Sequence, residues 1–135
     1  MAAPGTFTLD DFRRLHWIAG RWRGTMPDGK SFYEQYRIVN DSTIEMSGHA
    51  DSTFAPSTDG SRIMLRDQRV VSESTTSRYI ATRLDSAGVD FTPERGRNAF
   101  TWARENDTRW SATLRWTDAQ GQPQTVVYPM QRIGR

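Results

Sequence analysis

At 135 residues the chain fits one domain and is long enough to bury about two-thirds of the surface its unfolded form exposes. Eighteen Lys and Arg stand against 16 Asp and Glu, a formal charge of +2, and no run of five like charges supplies a polybasic arm for nucleic acid or a membrane surface. The absence of cysteine excludes disulfides and thiolate metal sites, and no apolar stretch approaches the ~18 residues of a membrane-spanning helix. Five Trp, six Phe and four Tyr carry much of the apolar volume, and aromatic side chains favour pleated, half-buried surfaces. The opening Met1-Ala2-Ala3-Pro4-Gly5 suits a native cytoplasmic start. It equally suits a mature periplasmic terminus with Met1 added after signal removal. A soluble protein of either compartment is expected.

The helix signal lies at the start. Thr8 is a good N-cap, Asp11 stands where a capping box needs a carboxylate, and Phe7 and Phe12 form the staple pair. Phe12, Leu15, His16 and Ala19 follow a 3–4 spacing, and Gly20 offers a left-handed stop. A helix over about 8–18 is predicted, too short to stand without packing.

From residue 19 to 133 the period is two. Trp22, Gly24 and Met26 share a face before the Pro27-Asp28-Gly29 turn. Residues 31–39 place Phe32, Glu34, Tyr36 and Ile38 together, and residues 43–54 set Ile44, Met46, Gly48 and Ala50 opposite Glu45, Ser47, His49 and Asp51. One strand is predicted near 62–70 and another over 77–84, then a short Val89-Asp90-Phe91 segment and a loop over 93–98. Residues 99–104 and 109–117 read as a hairpin whose apolar faces are Phe100 and Trp102, then Trp110, Ala112, Leu114 and Trp116; a last strand runs over 124–133. Eight to ten strands with turns every 8–15 residues indicate an all-β sandwich or up-and-down barrel. No repeat, low-complexity tract or composition break divides the chain, so residues 1–135 read as one domain.

The segment Leu15-His16-Trp17-Ile18-Ala19-Gly20-Arg21-Trp22-Arg23-Gly24 resembles the opening of the calycin superfamily: lipocalins, fatty-acid-binding proteins and bacterial relatives such as nitrobindin-like proteins. In that group a short helix leads into a Gly-x-Trp on the first strand, and an Arg of the last strand packs over the Trp. Gly20, Trp22 and Arg132 occupy those places, and Phe32-Tyr33-Glu34 is similar to nitrobindin-type second strands. The likeness covers nearly the whole chain and points to a bacterial lipocalin-like family without assigned function. It implies a closed antiparallel barrel of eight to ten strands, capped at one end by the short N-terminal helix. Nitrobindin-like proteins hold haem through a His near the C-terminus. Here that strand carries Tyr128, and the two His are His16 and His49, so no haem or other cofactor is expected.

Trp22 and Arg132 are read as a structural cation–π pair at the barrel base. Glu34, between Phe32 and Tyr36 on an apolar face, must be paired, hydrogen-bonded or protonated if it points inward. An interior Arg66, Arg83 or Arg104 would pair with it structurally; without one, desolvation raises its pKa and suits acid–base work. Tyr36, Tyr79 and Tyr128 are candidates for orienting a polar group, with core packing the commoner outcome. The Tyr128-x-x-x-Arg132 spacing departs from the Arg-x-Tyr of fatty-acid-binding proteins. Glu45, Ser47, His49 and Asp51 read as a solvated outer face, because i, i+2 positions stand about 6.5–7 Å apart, and two unpaired His make poor metal evidence.

The leading reading is a binding protein. Phe100, Trp102, Trp110, Leu114 and Trp116 form aromatic and aliphatic walls, and Glu34, Tyr36, Tyr79 or Tyr128 orients a planar, moderately hydrophobic ligand. The alternative is a cofactor-independent acid–base enzyme, a decarboxylase, isomerase or cyclase, using Glu34 and Tyr36 as the proton-transfer pair. A third reading is an interior filled solid by aromatic side chains. Partners are confined to a small hydrophobic or aromatic ligand and a possible second copy in a homodimer, with no nucleic acid and no metal.

Overall fold

In a computed structural model, residues 5–57, 59–95 and 97–134 are described. The capping box forms: Asp11 N–H donates to Thr8 Oγ1 at 3.1 Å, and Thr8 N–H donates to the Asp11 carboxylate at 2.8 Å. The helix it starts is short, α1 spanning Leu9–Arg13, and is followed by a separate 3₁₀ turn at His16–Ile18. The physical reason is the spacing of the buried residues. Phe12, Leu15 and Ile18 are each 0% exposed, three apart, and a tight three-residue turn puts i and i+3 on one face. Gly20 therefore opens the first strand instead of ending a helix that runs unbroken to 18.

Ten strands follow: β1 (Gly20–Thr25), β2 (Ser31–Asn40), β3 (Thr43–His49), β4 (Asp59–Arg66), β5 (Arg69–Glu73), β6 (Arg78–Asp85), β7 (Gly88–Arg95), β8 (Ala99–Asn106), β9 (Arg109–Thr117) and β10 (Pro123–Arg132). Each pairs antiparallel with its chain neighbour, and β1 pairs with β10, so the sheet closes into an up-and-down barrel. No helix among the described residues is long and apolar enough to cross a membrane.

Three strand boundaries differ from the sequence expectation. The stretch 62–70 is two strands, not one, because Asp67 and Gln68 both take left-handed backbone (φ 53° and 65°), the two-residue turn that matches strand twist. Pro93, Glu94 and Arg95 belong to β7, not to a loop. β7 pairs β8 only from Gly88 to Phe91, so Pro93 lies where β7 has a ladder partner on one side, β6, and its missing N–H costs little. β3 ends at His49; the next residues leave the sheet and bring Phe54 back against His49 and Tyr33.

The barrel closes over one end. Phe12, Leu15 and Ile18 join a core cluster that includes Ile44, Ile63, Val70, Ala81 and Val89. Trp22 is fully buried, and its indole N–H donates to the Ile18 carbonyl at 2.7 Å. Arg132 lies opposite Trp22 in the β1–β10 register, with its guanidinium 4.2 Å from the ring centroid. It also donates to the carbonyls of Asp107, Ala19 and Trp17 at 2.8, 2.8 and 3.1 Å. Gly20 takes φ 128°, and a Cβ there would collide with the Arg132 guanidinium, so the Gly of Gly-x-Trp makes room for the Arg.

Candidate functional site

Strand register places Trp22, Glu34, Gly48 and Asp59 in one row across β1 to β4, and residues directly opposite share a face. Trp22 is interior, so the row points inward. Gly48 contributes no side chain, and a Cβ built on it would collide with Asp59 Oδ1. The Asp59 carboxylate therefore leans over Gly48, on the Glu34 side of its own strand.

Glu34 is held by its own strand. Tyr36 Oη donates to Glu34 Oε1 at 2.9 Å, an i, i+2 contact along the inner face of β2. Burial pushes the Glu34 carboxyl up to about 7; the Tyr36 hydrogen bond lowers it, and the nearby Asp59 charge adds to the rise. The Tyr36 hydroxyl is pushed well above its ordinary value, chiefly by burial and then by the Glu34 charge. None of the three Arg candidates forms an ion pair with Glu34. Arg83 is taken by Asp85 and Asp90, Arg104 by Asp107 and the Trp17 ring, and Arg66 donates to the Met64 sulfur.

These carboxyl groups border a cavity of about 550 Å³ between the aromatic core and the barrel end away from α1. Glu34, Tyr36, Tyr79, Phe100, Trp102, Trp110, Leu114 and Tyr128 all line it. Trp116 does not. It shares the inward face of β9, but opposite Gln124 it lies two residues beyond Leu114, past the cavity wall. Trp22 lies beneath the cavity and contacts Trp110 edge-on at 6.0 Å. The walls are braced by edge contacts: Tyr36–Trp102 at 5.5 Å, Phe32–Tyr128 at 5.7 Å and Tyr79–Phe100 at 4.7 Å. Sequence reasoning missed Phe32, Asp59 and Ser72 as lining residues. Phe32 had the right strand phase; Asp59 sat in an apparent turn, and only its pairing with Gly48 reveals its direction.

A second, polar depression of about 660 Å³ is lined by Arg37, Glu45, Ser47 and Arg62 and shares Met46 and Asp59 with the cavity. There Glu45 binds both Arg37 and Arg62, and their hydrogen bonds hold its carboxyl below the ordinary range. One expectation about the face of Ser47 and His49 fails. Ser47 Oγ and His49 Nε2 are 2.7 Å apart, and His49 Nδ1 is 2.7 Å from the Ala55 carbonyl. The imidazole is long enough to lean back along the strand and reach the hydroxyl two residues away. No group of three or more His, Asp or Glu able to hold a metal ion occurs among the described residues.

No protein-family model matches the chain, and no curated protein matches it. Among solved structures, a redesigned β-barrel, b11L5F_LGL, is 14% identical, with 90% of this chain and 96% of that one covered at a TM-score of 0.44. EF1p2_mFAP2b bound to DFHBI is also 14% identical, covering 90% of this chain and 98% of that one at a TM-score of 0.46.

Proposed function

We propose that the chain binds one small, planar, moderately hydrophobic molecule inside its barrel, as a lipocalin-like unit of calycin type. The observation that carries this reading is the 550 Å³ cavity, within the range of small-ligand sites and lined mainly by apolar surface with a few convergent polar groups. An interior packed solid would leave no such volume. Trp22 under Arg132 supports the calycin resemblance, since that pair sits where the family places it. The ligand-facing set is Glu34, Tyr36, Tyr79, Phe100, Trp102, Trp110, Leu114 and Tyr128, with Trp116 left out.

Titration with 2-naphthol, a neutral planar probe, tests the reading by methyl NMR. Met46, Ala112, Leu114 and Met130 line the cavity and shift as the probe enters. The buried methyls of Ile18 and Ile44, under the helix, stay in place. Unchanged cavity methyls at millimolar probe would refute the binding role.

A second reading, an acid–base enzyme in the same cavity, is favoured by one observation: Glu34 is hydrogen-bonded to Tyr36 inside the cavity, where burial pushes its carboxyl up to about 7. A general acid or base works best with a pKa close to the operating pH. Glu34→Gln separates the two readings. A binder keeps its affinity for the neutral probe within a few-fold, whereas an enzyme loses turnover.

A further inference from the structure

The charge inside the cavity is one-sided. Two carboxyl groups, Glu34 and Asp59, border it, and no Lys, Arg or His is among the described residues that line it. The remaining polar side-chain groups are hydroxyls and the indole N–H groups of Trp102 and Trp110. The Ser72 hydroxyl is among them, on a residue only 6% exposed that lines the cavity. Aromatic rings make up much of the wall, and a ring face, unlike its edge, attracts a cation through the ring quadrupole. An anion would meet two carboxyl groups and no cationic side chain among the described lining residues, a costly burial. A cation would gain from carboxylate, hydroxyl and ring alike.

We propose that the ligand is an organic cation, an amine or amidine carried on an apolar scaffold. Its charged end sits by the Glu34 and Asp59 carboxyl groups, and its apolar body rests against Phe100, Trp102 and Tyr128. This inference rests on the cavity being the binding site. It also gives Gly48 a role: a side chain there would displace the Asp59 carboxylate, so Gly48 lets the acid lean toward the cavity row. The Glu34 proton then becomes part of recognition. The groups facing Glu34 are Tyr36 on its own strand, Trp22 from β1, Gly48 from β3 and the Asp59 carboxylate from β4. None supplies a positive charge, so the arriving cation is what favours ionisation, and binding releases a proton. Affinity for an amine that stays protonated rises with pH through about 7 and then levels off.

Three probes of nearly equal shape test this: phenylbutylamine, phenylbutanol and phenylbutyrate, titrated at about pH 8 with the cavity methyls as reporters. The amine binds at least about tenfold more tightly than the alcohol, because hydrogen bonds to charged groups exceed neutral ones by that margin. The acid binds weakest. In the double variant Glu34→Gln, Asp59→Asn the three affinities converge to within about threefold. Gly48→Ala, which moves only the tip of a flexible side chain, weakens the amine and leaves the alcohol unchanged. Equal binding of amine and alcohol by the unmodified chain overturns the cation assignment while leaving the cavity as a binding site. So does an amine preference that survives the double variant, or tighter binding of the acid. Failure of all three probes to shift any cavity methyl overturns both readings.

Discussion

The two ends of the barrel are made from the same ten strands and comparable side chains, yet one is solid and the other hollow. At the helix end, Phe12, Leu15 and Ile18 enter between the strands and are wholly buried. Trp22 fills the space beneath them, and Arg132 ties three backbone carbonyls together across the closure. At the far end no segment of the described residues enters. Its aromatic rings stand edge to edge around a space instead of filling it, as Phe32–Tyr128 and Tyr79–Phe100 do, and carboxyl and hydroxyl groups occupy positions that aliphatic side chains hold at the other end. Aromatic content therefore does not decide whether a small barrel has a cavity; the element inserted into its mouth does.

Substitutions should therefore differ in cost according to the end they touch. The largest effect is expected for Trp22→Ala, about 3–5 kcal/mol of stability by urea unfolding, since it opens a cavity where the packing is solid. Phe32→Ala, at the hollow end, should cost no more than about 1.5 kcal/mol, because less surface is taken from water there. Equal costs would erase the distinction. Next comes Arg132→Met, expected at about 2–4 kcal/mol, with lost cation–π attraction and three carbonyls deprived of a charged donor.

The pH dependence of the hollow end is comparable in size and opposite in sense to the usual acid case. Glu34 is held near 7 when folded against 4.5 for an ordinary glutamate. The folded state keeps a proton that the unfolded state releases. Its contribution is fully present below pH about 4.5, declines as pH rises, and is lost above about 7, on the order of 3 kcal/mol in all. Asp85 and Asp90, paired with Arg83, are held low and act only at more acidic pH. Comparing unfolding of the native chain and Glu34→Gln between pH 5 and 8 isolates the effect. The variant should gain relative stability with rising pH, and a flat difference would remove Glu34 from the buried interior. The smallest change belongs to the outer surface: Glu45→Gln, although it breaks two ion pairs, should shift stability by about 0.5 kcal/mol or less, as exposed pairs do.

What the sequence revealed follows the same division. The helix end was legible because its signals are local or motif-like: the Thr8–Asp11 box, the Gly20–Trp22 step and the terminal Arg132. Most of the cavity wall was legible too, because strand alternation alone sends Glu34, Tyr36, Trp102, Trp110 and Tyr128 inward. Asp59 was hidden because its direction depends on which residue lies opposite, a fact of register between strands that a single strand's pattern does not contain. The Asp67-Gln68 turn was hidden because neither residue is the glycine that usually marks such a hairpin. Trp116 had the right phase and the wrong height, and height in a tilted barrel depends on stagger between strands. Arg66, Arg83 and Arg104 had equal claims as partners for Glu34 by sequence; nearer acidic or polar neighbours took them.

The account stands most directly on a partly buried carboxyl group, Glu34, held in an aromatic-walled hollow. NMR titration of the Glu34 side-chain carboxyl carbon in the unliganded protein tests that claim. A midpoint near 7 is predicted, from burial that outweighs the Tyr36 hydrogen bond. A midpoint near 4.5 would mean that water or a cationic side chain reaches the carboxyl, and would contradict the account.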